Sequence, residues 1–150
     1  MFVESILVAV DGSENSVRAL DFALDMAEKY VSSVMILNVF DMLAVGVVPQ
    51  ESTAYSIGNM TTLGRDMRKI HEEILSKAVS HAKDFKPDLT ISSMLRDGEP
   101  AVEIVNFAKD NGFDVIVLGH KGMGKLRERF LGSISEKVAH SAPCSVIIVK

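Results

Sequence analysis

DVIVLGHKGMGKLRERFLGS, the sequence of residues 114–133, contains the strongest indication of how this chain folds. It opens with the strand-like run Asp114–Leu118, continues through a glycine-rich basic segment, and reaches a helix-like run at Ser133. A glycine-rich loop between a strand and a helix commonly holds phosphate, because bare backbone can approach the ligand and the helix N-terminus offers unpaired N–H donors. The stretch therefore indicates an α/β unit with a candidate anion site.

The alternation of strand and helix continues on both sides of this stretch. Short apolar runs typical of buried parallel strands occur at Ser5–Val10, Ser33–Phe40, Leu89–Leu95, Asp114–Leu118 and Ser145–Val149. Helical spacing of apolar residues occurs between them, at 17–31, Arg65–Phe85, Pro100–Asn111 and from Ser133 onward. This alternation predicts one domain over residues 1–150, a Rossmann-like α/β fold with an open five-stranded parallel sheet, order 3-2-1-4-5, and helices on both faces.

Charge is distributed unevenly along the chain. The net charge is −4, yet residues 119–132 hold four basic residues and one acidic residue, a local charge of +3 that leaves −7 for the rest. The acidic balance argues against a nucleic-acid partner, which usually requires a basic face. A basic loop on an acidic body suits a small anionic ligand, and a solvated loop that is merely basic is the alternative.

The composition also bears on the compartment. No apolar run approaches the roughly 20 residues that a membrane span needs, and the N-terminal residues carry no basic region of a secretion signal. The chain has one cysteine, Cys144, beside an apolar strand, where a small buried hydrophobe in a reducing compartment is the ordinary interpretation and a catalytic thiol the alternative. We expect a cytoplasmic protein with no membrane partner.

Residues 41–64 interrupt the regular pattern. They contain three glycines, one proline and two charged residues, with no clean period. Connections longer than about 12–15 residues are usually lids, contact surfaces or disordered segments. Because the segment is rich in apolar residues, we expect it to cover another part of the molecule or a partner, with a mobile loop as the alternative.

Two familiar phosphate motifs nearly match the glycine loop and fail. The spacing Gly119-x₄-Gly124-Lys125 opens like a P-loop, but Leu126 stands where a serine or threonine would meet the metal. A dinucleotide fingerprint that begins at Gly122 requires a third glycine where the chain has Arg127. The predicted strand order does bring the ends of the first and fourth strands together, so Asp11 and the loop would share one crevice.

The spacing that remains is Gly119-x₂-Gly122-x₉-Gly132-Ser133, accompanied by Val10-Asp11-Gly12-Ser13-x₂-Ser16-x₂-Ala19-Leu20 near the start. With this spacing the chain resembles the universal stress protein family, in particular its nucleotide-binding branch, whose signature is G-x₂-G-x₉-G-[ST]. The resemblance extends through Gly98-Glu99-Pro100 to the ending Pro143-Cys144-Ser145-Val146.

The resemblance implies an adenine nucleotide, ATP, ADP or AMP, bound at the carboxyl ends of strands one and four. By that resemblance the contacts fall on Asp11, Val39, Gly119, Gly122, Gly132, Ser133 and Ser135. Asp11 would approach the ribose or a phosphate-bound Mg²⁺, and Val39 would contact adenine through its backbone. The first two glycines would allow close approach of ribose and phosphates, while Gly132 and the two serines would supply donors.

Two of these residues have competing interpretations. Ser133 with Glu136 forms a capping-box pattern, in which the serine would satisfy its own helix without any ligand. Asp11 could simply end a strand and begin a turn.

The motif indicates a binder rather than a dedicated enzyme. Hydrolysis needs an oriented base, and only Asp11 and His120 are candidates, so ATP binding in a switch or sensor, with at most slow hydrolysis, is the expected function. A nucleotide-free dimeric interaction protein is the alternative. A nucleotidyl-transfer enzyme of similar fold is a third, without a recognisable second pocket.

The strand order leaves the last strand, residues 145–149, at a sheet edge, with Val146 to Val149 apolar on both faces. Relatives resembling this chain form dimers through that strand, so we expect a homodimer. The alternative is that the protein's own helices cover the strand.

Overall fold

The computed structural model describes residues 2–43, 54–121 and 131–150, with the side chains of residues 54–61 outside the description. Strands and helices alternate along it as β1 (Ser5–Ala9), α1 (Glu14–Tyr30), β2 (Ser33–Phe40), α2 (Ala54–Phe85), β3 (Ile91–Asp97), α3 (Pro100–Asn111), β4 (Val115–Gly119), α4 (Ser133–Ser141) and β5 (Ser145–Val149). The strands form one parallel sheet in the order β3-β2-β1-β4-β5. The predicted fold class and strand order are therefore confirmed.

The sheet separates two apolar layers. Because side chains alternate across a strand, Ile6 and Val8 of β1 pack beneath α1 and α2, whereas Leu7 packs beneath α3 and α4. The central strands β1 and β4 are apolar on both sides, as strands covered by helices on both faces should be. Because all the strands are parallel, their carboxyl ends lie at the same edge of the sheet, between the two layers.

The start of β1 is attached to the start of β4 by a carboxylate. Asp114 Oδ2 accepts hydrogen bonds from the backbone N–H groups of Glu4 and Ser5 at 2.9 and 3.0 Å. These two bonds lower the pKa of the Asp114 carboxyl below its usual value. The charged carboxylate thus fixes the register of the two central strands.

The helix α2 corrects one prediction. The helical pattern was expected to begin at Arg65, but α2 begins at Ala54, so residues 54–64 are helical and not a connection. Residues 44–53 of the same segment lie outside the described part. The contact of Met42 with Gly64 lies within the same segment, and Leu43 is exposed, so the expectation of a covering segment stays a prediction.

The two edge strands differ. The strand β3 spans Ile91–Asp97, two residues later than predicted, and most of its side chains are exposed. The strand β5 has the predicted bounds and its apolar side chains are half-buried. No helix in the described part of the chain is long and apolar enough to cross a membrane.

Candidate functional site

A cleft opens at the carboxyl ends of β1 and β4, where strand order reverses. In a parallel sheet with helices on both faces, ligands bind at this position. The described residues that line the cleft are Ala9, Val10, Asp11, Ser16, Val39, Pro100, Ile104, Leu118, Gly119, Lys121, Ile134 and Ser135. These residues enclose about 80 Å³. Most of them are apolar, and the polar ones lie mainly at the ends of β1 and β4.

On one side of the cleft, side chains cap the N-terminus of α1. Ser13 is the N-cap, and its hydroxyl accepts a hydrogen bond from Ser16 N at 3.2 Å. Asp11 Oδ1 in turn accepts from Ser13 N at 2.9 Å and from Ser13 Oγ at 2.6 Å. The carboxylate of Asp11 therefore takes part in the turn that ends β1, through one of its two oxygens. Gly12 makes this turn with a φ of 87°, which favours glycine.

Gly119 ends β4 directly against this turn. A Cβ added to Gly119 would lie 2.8 Å from the backbone carbon and oxygen of Asn15, in the first turn of α1. Glycine is therefore required here by the close approach of a strand end and a helix. The carbonyl oxygen of Gly119 accepts a hydrogen bond from Ser135 Oγ at 2.7 Å, which joins α4 to the same point.

On the other side of the cleft, α4 begins without a side-chain cap. Gly132 is the N-cap residue, in extended conformation, and no side chain of the described residues bonds to the first turn. Ser133 is the first helical residue and is exposed. The capping-box interpretation of Ser133 is therefore wrong, because Gly132 occupies the position that the cap requires. The first N–H groups of α4 remain oriented out of the helix end.

His120 connects the glycine loop to both neighbouring elements. Its backbone N–H donates to Val149 O at 2.9 Å, and its carbonyl accepts from Gly132 N at 2.7 Å. The Nδ1 atom of its ring is buried and has no hydrogen-bond partner within the described residues. The backbone bonds hold the start of α4 close to β4.

A buried polar chain supports the end of β1 from below. Asn38 in β2 is fully buried, and its Nδ2 donates to Val10 O at 2.7 Å. His71 Nδ1 lies 2.7 Å from Asn38 Oδ1, and its ring stacks on Phe40 with the centroids 5.4 Å apart. Burial lowers the pKa of His71, an effect that the charge of Asp11 partly offsets. The residue before Asp11 is thus held by a chain that reaches α2.

Cys144 lies away from the cleft, against the apolar layer beneath α3 and α4. Burial, followed by the charge of Asp114, raises the pKa of its thiol. A neutral thiol is a poor nucleophile, so the interpretation as a small hydrophobe is favoured. Across the described ranges, no three His, Cys, Asp or Glu side chains group as a metal site.

The cleft brings together most of the residues proposed from the sequence. Asp11, Val39, Gly119 and Ser135 line it. Gly132 adjoins it through its bond to His120, and Ser133 follows at the exposed helix start. Gly122 lies outside the described residues.

Sequence reasoning did not identify the apolar walls of the cleft or its support. The walls include Pro100, Ile104 and Ile134. The turn Gly98-Glu99-Pro100 was a usable signal, because it follows a parallel strand and so ends at the same edge of the sheet. Ser16 belongs to the motif quoted from the sequence but was not assigned to the cleft, although its position three residues after the N-cap is where a capped N–H is expected.

Similarity to known proteins agrees with this geometry. The chain matches the universal stress protein family over residues 3–150. It is 33% identical to universal stress protein YxiE of Bacillus subtilis over 146 residues, covering 97% of each chain. A solved universal stress protein in complex with cAMP is 25% identical, with a TM-score of 0.71 and coverage of 100% of this chain and 99% of that one. Another from Archaeoglobus fulgidus in complex with dAMP is 26% identical, with a TM-score of 0.66 and full coverage of both. The chain belongs to the universal stress protein family.

Proposed function

We propose that this chain binds ATP at the cleft between the ends of β1 and β4 and acts as a nucleotide-dependent switch or sensor in the stress response. The observation that carries this proposal is the start of α4, where no side chain of the described residues caps the N–H groups beside the cleft. A helix N-terminus without a side-chain cap is suited to bind phosphate, since the N–H donors and the helix dipole both favour an anion. The cAMP and dAMP complexes of related proteins support an adenine nucleotide as the ligand.

The cleft suits the parts of such a ligand differently. Apolar walls formed by Val39, Ile104 and Ile134 would hold the adenine ring, with the backbone of Val39 at its edge. The described walls enclose less volume than the roughly 300 Å³ at which ligand pockets begin, so ribose and phosphates would extend past Gly119 over the start of α4. Gly132, Ser133 and Gly122 of the signature would then meet the phosphates. Bound phosphates would carry Mg²⁺, with Asp11 Oδ2 as its protein-side neighbour.

The geometry supports binding with at most slow hydrolysis. A general base must be oriented toward the attacking water. Asp11 Oδ1 is engaged in the α1 cap, and His120 Nδ1 has no orienting partner in the part of the chain that the structure describes. Nucleotide occupancy, rather than turnover, would therefore carry the signal.

The test is titration of the purified chain with ATP and MgCl₂, by calorimetry and by thermal shift. Ser133→Asp adds a negative charge at an exposed position of α4, where the helix dipole favours it, so the fold should be unaffected. The same charge repels phosphate, and the Kd for ATP should rise at least about tenfold. Ser133→Asn is the matched control and should retain nearly normal affinity.

The contradicting outcome is specific. If no nucleotide accompanies the purified chain and millimolar ATP with Mg²⁺ leaves the melting temperature unchanged, the protein is a nucleotide-free interaction protein instead. If both variants bind ATP as the unmodified chain does, the start of α4 is not the phosphate site.

We also infer a homodimer formed through β5. This strand lies at the sheet edge, and its side chains Val146 to Val149 are half-buried and apolar. Strand edges of this kind are usually paired or covered. Sedimentation at micromolar concentration should show a dimer, and a monomer would contradict the inference.

A further inference from the structure

A second cavity lies between α1 and α2, on the opposite side of the end of β1 from the nucleotide cleft. Its volume is about 320 Å³, compared with about 80 Å³ enclosed by the cleft. Its described lining is Val10, Gly12, Ser16, Val17, Leu20, Ile74, Lys77, Ala78 and His81. A volume of this size falls within the range of small-molecule sites, about 300–1,000 Å³.

The interior of this cavity is apolar. Val10 and Leu20 are buried there. A Cβ on Gly12 would lie 3.4 Å from the side chain of Ile74, so the missing side chain of this glycine leaves room next to Ile74. The hydroxyl of Ser16 is already engaged, since it donates to Ser13 O at 2.9 Å. An apolar cavity without polar partners for water favours an apolar ligand over solvent.

The rim of the cavity is polar and carries a cation. His81 Nε2 is 2.6 Å from Asp21 Oδ1, so this carboxylate already has a partner. Lys77 lines the same rim and forms no ion pair with a described residue. A ligand with an apolar body and one anionic end would therefore match both the interior and the rim.

We propose that this cavity is a second ligand site, distinct from the nucleotide cleft, which takes a small aliphatic carboxylate. The hydrocarbon chain lies among Val17, Leu20 and Ile74, and the carboxylate meets the ammonium group of Lys77. Val10 and Ser16 line both the cavity and the cleft, so the two ligands would share a wall. This places the site where an effector could act on the nucleotide cleft.

The experiment uses octanoate as the probe and 1-octanol as its uncharged counterpart. Binding is followed by the NMR shift of the Ile74 δ1 methyl group and by calorimetry, with and without saturating ATP and Mg²⁺. We expect octanoate to bind and to shift the Ile74 methyl signal in both conditions. Lys77→Gln should raise the Kd for octanoate about three- to fivefold, the effect of losing one partly exposed ion pair, and leave octanol unchanged.

Two further variants locate the site. Val17→Phe changes a 42% exposed side chain and should fill the cavity without unfolding the chain, so both probes should lose affinity. Lys69→Gln removes a cation on the same helix outside the cavity and should have no effect on either probe.

Several results would overturn the proposal. Absence of any Ile74 shift with millimolar octanoate would exclude the site. Equal octanoate binding by the Lys77→Gln variant would exclude the carboxylate contact, and equal binding by Val17→Phe would exclude the location. Displacement of octanoate by ATP would show one shared site, whereas failure of ATP to bind would leave these results intact and count only against the nucleotide function.

Discussion

Helices α1 and α4 both begin at the cleft, and they differ in whether a side chain accepts hydrogen bonds from the N–H groups of the first turn. In α1 the chain does so itself, with the Ser13 hydroxyl accepting from Ser16 N and Asp11 holding Ser13. In α4 the N-cap is Gly132, with no side-chain hydrogen bond from the described residues. The two helix starts lie at the ends of adjacent central strands, so the difference separates a turn closed by its own side chains from one whose N–H donors are open to the proposed nucleotide.

The two N-caps, Ser13 and Gly132, contribute differently to the stability of their helices. A serine N-cap contributes about 1 kcal/mol over alanine but only a few tenths of a kcal/mol over glycine, so Gly132 at the start of α4 costs little stability. Helix α4 is also short, with 9 residues against 17 in α1, and short helices depend more on their ends and their packing. Uncapped donors at the end of a short helix are understandable if a bound anion satisfies them.

The largest expected effect comes from Gly119→Ala, which crowds the end of β4 against the start of α1. The added Cβ would meet the backbone of Asn15 at 2.8 Å, so α1 or the end of β4 must move. We expect a loss of about 2 kcal/mol in the free energy of unfolding, measured by urea denaturation, within the usual range for overpacking.

Gly112→Ala is the contrasting change. Gly112 has a φ of 65° and no described atom within 4 Å of an added Cβ, so its loss of about 1 kcal/mol would be backbone strain, whereas Gly119 has no positive φ and its loss would be crowding. A Gly119→Ala variant as stable as the unmodified chain would show that the end of β4 does not pack tightly against the start of α1.

Several features of the two helix starts could be predicted from the sequence, because they depend on local patterns of residues. The alternating strands and helices follow from periodicity, and the shared crevice of Asp11 and Gly119 follows from the strand order that is usual for open parallel sheets. The start of α2 was missed because Gly58 and Gly64 and an irregular apolar pattern disguise a helix that begins at Ala54.

Other features could not be predicted from the sequence, because they depend on contacts between residues that are far apart in the chain. The bond between Asn38 and His71 joins residues 33 positions apart. The strand β3 was misplaced by two residues because an exposed edge strand containing Ser92 and Ser93 lacks the apolar run of a buried one. The capping-box interpretation of Ser133 fitted the spacing to Glu136 in the sequence, and only the backbone conformation identifies Gly132 as the N-cap.

A smaller effect distinguishes the two helix starts directly. Ser13→Ala removes the N-cap of α1 and a partner of Asp11, and should lower the free energy of unfolding by about 1 kcal/mol. Ser133→Ala removes an exposed hydroxyl that caps no N–H group of the described residues, and should change stability by less than about 0.5 kcal/mol. Thermal and urea denaturation of the nucleotide-free proteins measure both. Equal losses in the two variants would restore Ser133 as a cap.

The smallest expected effect is a pH dependence confined to the α1 side of the cleft. Burial lowers the pKa of His71 in the folded chain below its ordinary 6.5, so the unfolded chain binds the proton more readily. The contribution of His71 to stability is therefore complete above about pH 6.5 and is lost as the pH falls from there toward the folded-state pKa. Protonated His71 keeps its Nδ1 donor to Asn38 but carries a charge that burial disfavours, so acid should displace its ring and, through Asn38 and Val10 O, loosen the end of β1 before it affects α4.

His71→Gln tests this dependence, because glutamine can still donate a hydrogen bond to Asn38 but does not titrate. Urea denaturation between pH 5.5 and 7.5 should show the unmodified chain losing more stability toward acid than the variant. The difference between the two at pH 7.5, where the unmodified His71 is neutral, measures the cost of the substitution itself. Parallel pH profiles would show that the His71–Asn38 contact does not respond to protons, and both helix starts would then be equally insensitive to pH in this range.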